Sequence, residues 1–343
     1  MHTAFSCTPP EKRDLPDQSI HTQATEILGL VMKHRRIAAQ NPCEGPLCAT
    51  CLGPHLGRVI KAIERDEPVV FVLPAFPAKS PNPDKVLGPT PDMAERQSLA
   101  FLNELCNRIG AVYAPGAQII LCSDGRVFSD AVGMNESDVT AYQQGISALI
   151  EELGASALST FNLDDVFPGS GFDEMRARLM TRHGQPLDEL RAAVRAGGEA
   201  RRMYCGITRF LVEDATRPDM AISKTALQKE CRERAYQVVQ RSKAWDGLLA
   251  TIFPDAVRLS IHPQSCGSRK IGIHMMATAD GWLTPWHGVA ALVNGSFRLL
   301  KRREAEAAGA ALVFQNGRPS HYVLDGSALP NRRLGAAGME ESR

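Results

Sequence analysis

No uninterrupted apolar run in this chain approaches the ~20 residues needed to cross a bilayer. Nor does any stretch near its start join a charged beginning to an apolar middle and a small-residue cleavage site. Neither a membrane span nor a secretory leader is expected, and the predicted location is the cytoplasm. Charge of one sign is missing too: 39 basic residues face 38 acidic ones. There is then no overall positive field of the kind that draws a protein to nucleic acid or to an anionic membrane. The expected partner is a small molecule or another protein. Internal repeats and low-complexity tracts are absent. So is a Walker A sequence, and the one Gly-x-Gly, in "PGSGFDEM", has no third glycine and follows no β-run, which weakens a nucleotide-dependent reading. Cysteine is not scarce, but the nine residues are an odd number. In a reducing compartment they read as buried thiols or ligands rather than as a disulfide framework.

What is present is an alternation of periodicities. At 343 residues the chain is long enough to bury a core without a metal or disulfide staple. Residues 1–18, polar and bearing three prolines, read as a flexible leader. "SIHTQATEILGLVMKHRRIA" then spaces Ile20, Ile27, Leu28, Val31 and Met32 as a helix does, and "HLGRVIKAIERDE" repeats the pattern. "EPVVFVLPAFPAKSPNP" is a buried strand breaking into a loop. "GPTPDMAERQSLAFLNELCNRIG" is a helix capped by Thr90 or Asp92 and stopped by Gly110. "AQIILCSDGRVFSD" is a second buried strand with its own polar loop, and "ESDVTAYQQGISALIEELG" is helical again.

Strand, helix, strand, helix predicts a Rossmann-like, mainly parallel α/β sheet with right-handed crossovers. The expected organisation is a first part of the α/β domain at 19–171, a largely helical insertion or second lobe at 172–253, completion of the sheet at 254–330, and a flexible tail at 331–343. In the last part, "AVRLSIHPQ", "KIGIHMMAT" and "GWLTPWHGVA" carry β signal. The Asn-Gly of "ALVFQNGRPSHYVL" marks a hairpin whose turn Arg318 and Pro319 should lengthen.

Ligands of open α/β sheets collect beyond the carboxyl ends of the strands. The loops expected there offer Lys79 and Asn82, then Ser123, Asp124, Arg126 and Asp130, then Arg258, His262 and Gln264, and finally Arg269, Lys270, His274 and His287. Cations that grip a phosphate, beside imidazoles and carboxylates that move protons, suit a phosphorylated substrate. Taken singly, each is as well explained as a solvated or structural residue; Asp124 beside Gly125 reads as a turn residue. Glu95 and Arg96 open the helix after the Lys79 loop, where Glu95 serves either substrate or, with Asp92, a capping box.

The stretch "NPCEGPLCATCLGPH" sets Cys43, Cys48 and Cys51 in a connector between two helices, with His55 four residues on. Cys-x4-Cys-x2-Cys is an iron–sulfur spacing that needs a fourth, distant cysteine. Zinc through the three thiols and His55 is an open alternative that lacks the usual long interval between ligand pairs. A thiol exchange pair lacks a thioredoxin-like setting. No metal is assigned.

"FPAKSPNPDKVLGPTPDMAE", "YAPGA", "SDGRVF", "RLSIHPQ" and "TPWHGV" together resemble the isonitrile (isocyanide) synthases, a family with members in paerucumarin and spore-wall dityrosine formation. The resemblance runs from about Cys43 past His287. It implies that the α-amine of an aromatic amino acid, L-tyrosine in preference to L-tryptophan, becomes an isonitrile. The carbon comes from C2 of ribulose 5-phosphate, phosphate is released, and the enzyme is a carbon–carbon lyase of secondary metabolism. It further implies no metal, flavin or nicotinamide cofactor, and a non-haem Fe(II)/2-oxoglutarate oxygenase as consumer of the product. On that chemistry His262 and His287 are expected to carry protons, and Lys79 to act as base or phosphate clamp in preference to a Schiff-base nucleophile. Arg126, Arg258 and Lys270 are expected to hold the phosphate, and Asp130, Glu95 and Arg96 to bind substrate. A binding protein for sugar phosphates would use the same cleft without turnover.

Overall fold

The computed structural model describes residues 17–38, 43–216 and 222–324. The leader predicted at 1–18 lies almost wholly outside the described residues, and the tail predicted at 331–343 lies wholly outside them. Helix α1 (Asp17–Met32) buries Ala24, Ile27, Leu28 and Val31, and α2 (Ala49–Glu64) buries Leu52, Val59 and Ile63, the rows their spacing predicts. Strand β1 (Val69–Leu73) leads through a long loop to α3 (Met93–Val112), which is followed by β2 (Ala117–Cys122), α4 (Gly125–Val132), α5 (Glu136–Glu152), β3 (Leu158–Phe161) and the short α6 (Leu163–Val166). Four helices then run in succession: α7 (Phe172–His183), α8 (Leu187–Ala196), α9 (Gly198–Ala215) and α10 (Lys224–Ile252). Strands β4 (Val257–Ser260) and β5 (Ile271–Gly272) precede a 3-10 turn at Pro285–His287. The described chain closes with β6 (Val289–Val293), β7 (Ser296–Leu300), α11 (Arg302–Ala307), β8 (Ala311–Gln315) and β9 (Arg318–Leu324). Among the described residues no helix is long and apolar enough to cross a membrane.

The first five strands make one parallel sheet in the order β3-β2-β1-β4-β5. That is the order of a doubly wound Rossmann sheet, and it reverses direction between β1 and β4. The central strands β1 and β4 are buried on both faces. Phe71 and Leu73 of β1 pack towards α1, α2 and α3, whereas Val72 packs with Met175 and Leu179 of α7 and with Trp245, Leu248 and Leu249 of α10. The helical run 172–252 therefore supplies the second layer of the sheet.

Four local expectations change. Residues 289–324 do not extend the parallel sheet but form a mixed one, β7-β6-β9-β8, with its own core around Val289, Ala291, Tyr322 and Leu324. Gly110 does not stop α3. Buried Ile109 holds the last turn, accepting from the Tyr113 amide, so the helix runs to Val112. "SDGRVFSD" is not a loop but helix α4, entered at Gly125 so tightly that a Cβ there would stand 2.0 Å from the Pro77 carbonyl oxygen. The β8–β9 turn is not lengthened either. Asn316 and Gly317 have φ of 49° and 74°, as a two-residue type I′ turn requires, and Gln315 pairs directly with Arg318. The bulge that accommodates Pro319 falls within the ladder instead, opposite Val313 and Phe314.

Candidate active site

The strand-order reversal between β1 and β4 directs attention to the two loops that leave their carboxyl ends. The loop after β1 carries Lys79, Ser80, Asn82 and Lys85, and no glycine-rich phosphate motif. It is clamped on both sides. The Ser80 amide donates to the Trp286 carbonyl at 2.9 Å, and Ser123 Oγ donates to the Phe76 carbonyl at 3.0 Å. Asn82 Nδ2 reaches the Glu213 and Thr216 carbonyls at the end of α9. Buried Asp214 of α9 accepts from Ser80 Oγ at 3.1 Å and pairs with Lys85.

His287 stands at this junction. Its Nδ1 shares a 2.9 Å hydrogen bond with Thr284 Oγ1, and its Nε2 faces Asp214 Oδ2 at 4.0 Å. The ring packs edge-on against Phe210, with centroids 4.9 Å apart. Burial pushes the imidazole down to about 4; Asp214 opposes this, while Lys85, His262 and Lys79 reinforce it. The two imidazoles are near enough for His262 to act on His287 electrostatically. His262, from the loop after β4, is open to solvent at its edge, and its ring nitrogens have no hydrogen-bond partner among the described residues. It sits 5.6 Å from the exposed ring of Trp282. The surrounding protein, then Arg36 and Lys270, lower its pKa to about 4. Each imidazole thus favours its neutral form and has an aromatic neighbour, Trp282 beside His262 and Phe210 beside His287.

Lys270 Nζ lies 2.9 Å from Asp246 Oδ1, and Arg258 Nη2 contacts the same oxygen. One carboxylate serves two cations, so the pair keeps a net positive charge beside His262, and Lys270 is partly exposed. This arrangement can hold an anion.

Lys79 departs from every role expected of it. Its side chain is fully enclosed, with Nζ 2.8 Å from Asp92 Oδ2, 2.7 Å from Glu95 Oε2 and 3.2 Å from the Pro285 carbonyl. An ammonium has three donors, and all are engaged. Burial alone would lower its pKa, but Asp92 and Glu95 outweigh that and raise it. It offers neither a lone pair nor access to a sugar phosphate. Glu95 is equally enclosed. It accepts from the Asp92 amide in a complete capping box and from the Tyr142 hydroxyl at 3.0 Å, so it fixes the start of α3 rather than binding substrate. Burial raises its pKa to about 7, with Lys79 opposing and Asp92 adding to the rise.

Three further residues are committed to ion pairs within the fold. Arg126 is buried with all three nitrogens engaged: Nη1 on the Glu136 carboxylate and carbonyl at 2.8 Å, Nη2 on Thr140, and Nε 3.4 Å from Asp164. Its guanidinium lies 4.1 Å over the Phe172 ring, and it holds α4 to α5 instead of a phosphate. Asp130 is gripped by both nitrogens of Arg241 and approached by Arg176 at 3.7 Å, which keep it below the usual carboxylate range against the effect of burial. Arg96 pairs with Glu152 at the surface, 2.7 Å away.

Asp124, which the sequence offered both as a strand-end loop candidate and as a turn residue, keeps the first reading open. It sits at the carboxyl end of β2, pairs with no cation among the described residues, and is pushed up to about 7 by burial, its own amide opposing. A carboxyl that changes protonation near neutrality beside a cleft is an acid–base candidate. Arg36 was missed. Buried against the His262 loop, it donates to His274 Nδ1 at 3.0 Å and to the Ile261 and Leu283 carbonyls. At the opposite edge of the sheet, a depression of about 350 Å³ lined by Cys106, Pro115 and Ser156 contains no comparable proton carrier.

Residues 59–313 match the family model described as pyoverdine/dityrosine biosynthesis protein. An L-tyrosine isonitrile synthase of Pseudomonas aeruginosa is 52% identical over 278 residues, covering 80% of this chain and 85% of that protein. The L-tryptophan isonitrile synthase AmbI2 of Fischerella ambigua is 47% identical over 308 residues, covering 90% and 93%. The crystal structure of the PvcA protein from Pseudomonas aeruginosa superposes with a TM-score of 0.83 at 48% identity, covering 88% of this chain and 99% of that one. The parallel sheet, its flanking helices and the sequence match agree: this chain belongs to the pyoverdine/dityrosine biosynthesis family.

Proposed function

We propose that the protein is an isonitrile synthase that converts the α-amine of an aromatic amino acid, L-tyrosine in preference to L-tryptophan, to an isonitrile. C2 of ribulose 5-phosphate is the isonitrile carbon, and phosphate is released. The observation that carries this is the pair of imidazoles His262 and His287, close enough to interact, with Trp282 and Phe210 beside them and the Lys270–Arg258 cation pair near His262. The activities named for the relatives support the same reading.

The substrate amine attacks the sugar ketone as the free base, and loss of water gives an imine. That imine draws electrons from the adjacent carbons, so a base can remove a proton there. His287, oriented by Thr284, takes and returns protons at Nε2; His262 and Asp124 serve the remaining transfers. Lys270 and Arg258 hold the phosphate and oppose the charge that grows as it leaves. Trp282 and Phe210 offer apolar area to an aromatic side chain. The chemistry needs no metal, flavin or nicotinamide. The reaction is a carbon–carbon lyase step of cytoplasmic secondary metabolism, and a non-haem Fe(II)/2-oxoglutarate oxygenase takes up the product.

The test is to incubate the protein with ribulose 5-phosphate labelled at C2 and, in parallel, with L-tyrosine or L-tryptophan. Mass analysis should find an isonitrile retaining the label, formed faster from tyrosine. No isonitrile from either amino acid, or a product without label, would sink the reading.

A further inference from the structure

The thiols of the "NPCEGPLCATC" connector meet a fourth, Cys266, which lies in the loop between β4 and β5 and is separated from Cys51 by 215 positions. The four Sγ atoms lie within 4.8 Å of one another. Cys51 is 3.3 Å from Cys266 and 3.4 Å from Cys43, and Cys48 is 3.7 Å from Cys266. Four thiolates arranged tetrahedrally at ~2.3 Å from one ion stand about 3.8 Å apart. An iron–sulfur cluster divides its thiolates among separate irons and so spreads them more widely than a single ion does. The compact set fits one ion.

The surrounding backbone is built for charged sulfur. Backbone amides surround two of the sulfurs, those of Cys51 and Glu44 near Cys48 Sγ and that of Gly267 near Cys51 Sγ, with the Cys51 amide itself donating to the Cys48 carbonyl at 3.0 Å. Amide donors aimed at sulfur favour the thiolate, which is the metal-binding form. Gly267 reaches its position with a φ of +77°, and a Cβ there would crowd Thr50 at 3.2 Å. His55, the alternative fourth ligand, is not in the group. It lies a turn further along α2, 1% exposed in the row of Leu52 and Val59, with Nδ1 unpartnered.

We propose that Cys43, Cys48, Cys51 and Cys266 bind one zinc ion in a closed tetrahedral site. Zinc displaces the thiol protons without change of oxidation state. With all four positions taken by protein sulfur, the ion is structural and offers no place for substrate. It ties the connector before α2 to the loop that carries His262 and Lys270, fixing that loop from the side away from the cleft. The site stands on the thiol geometry alone and is independent of the reaction assigned to the cleft.

The experiment uses the full chain, freed of any histidine tag and purified without chelator. Elemental analysis should find about one zinc per chain and little iron, and zinc-edge X-ray absorption should show four sulfur neighbours at about 2.3 Å. Cys266→Ser should lower bound zinc at least roughly tenfold, while His55→Gln retains it. The absorption measurement needs no variant, so it decides the matter even if Cys266→Ser fails to fold. Stoichiometric iron, a metal-free chain, nitrogen or oxygen in the zinc shell, or full zinc in Cys266→Ser would each overturn the proposal.

Discussion

Lys79 shows how far the surroundings of one side chain decide its chemistry. A lysine in a loop at a strand end is as compatible with a base or a phosphate clamp as with a buried counter-ion. Here Asp92 and Glu95 enclose it, and the ammonium's job is to neutralise two carboxylates that have left water. Breaking such a group by removing one partner typically costs about 3–5 kcal/mol. Lys79→Met should therefore lower the unfolding free energy measured by urea titration by an amount of that order, and activity should fall with folded fraction. A variant of unaltered stability and abolished turnover would return Lys79 to the chemistry. Lys270 predicts the opposite pattern, because it is partly exposed and shares Asp246 with Arg258. Losing one charge-assisted contact to phosphate costs about 1.5–3 kcal/mol, or more than tenfold in affinity. Lys270→Met should raise the KM for ribulose 5-phosphate by roughly that factor, with little change in the amino-acid KM or in thermal stability. Steady-state kinetics with each substrate varied in turn would separate the two.

At the scale of elements, α4, α5, α7 and α10 are joined by an ionic clasp. Arg126 and Arg176 share Glu136, Arg176 also takes Asp173, and Arg241 holds Asp130. Arg126→Met strands Glu136 and Asp164 in part and should destabilise the fold by about 3 kcal/mol, leaving the KM for ribulose 5-phosphate unchanged in the folded fraction. Denaturant titration beside kinetics checks both halves. The clasp also marks where the sequence stopped being readable. An arginine beside a strand end has the same spacing whether it faces a cleft or a neighbouring helix, and only packing distinguishes Arg126 from Arg258. Strands β1 and β2 and helices α1, α2, α3 and α5 were legible because burial of one stripe, or of both strand faces, writes a period into the apolar residues. Strand β3 was not, since only Leu158 of its four residues is buried and no apolar run results. Helix α4, at eight residues, is too short for a period to stand out. The Asn294-Gly295 turn between β6 and β7 carries the same signal as Asn316-Gly317 and was overlooked inside "ALVNGSFRLL". In the candidate site, His262, His287 and Asp124 could be nominated from their motifs and loops, whereas Arg36 emerges only through long-range contacts to His274 and the Ile261 and Leu283 carbonyls that no local pattern records. Cys266 was invisible for a related reason: the chain folds it back onto Cys51 across the whole sheet.

For the whole molecule, the histidines whose pKa the fold lowers set the response to acid. His262, His274 and His287 are held down to about 4 chiefly by burial, and His34 and His321 also lie below their ordinary value. His274 must be neutral for a further reason: its Nδ1 accepts from Arg36 Nε, and a protonated ring has no acceptor. Against these stand Glu95 and Asp124, each raised to about 7. A histidine whose folded pKa is lowered contributes stability that is complete above the unfolded value and is lost as pH falls through about 6 towards 4. A carboxyl whose folded pKa is raised contributes stability that is complete below its unfolded value and is lost as pH rises through about 7. Between about pH 7 and pH 5 the two effects oppose, and the imidazoles outnumber the carboxyls, so the unfolded chain binds more protons in net. The melting temperature should therefore fall on acidification over that interval. His274→Gln keeps an acceptor for Arg36 and cannot titrate, so it should make the fall shallower while leaving stability near pH 7 little changed. Melting curves of the two proteins across that range are the check. A melting temperature that rises on acidification would mean that Glu95 and Asp124 dominate and that the imidazoles are not held neutral by the fold.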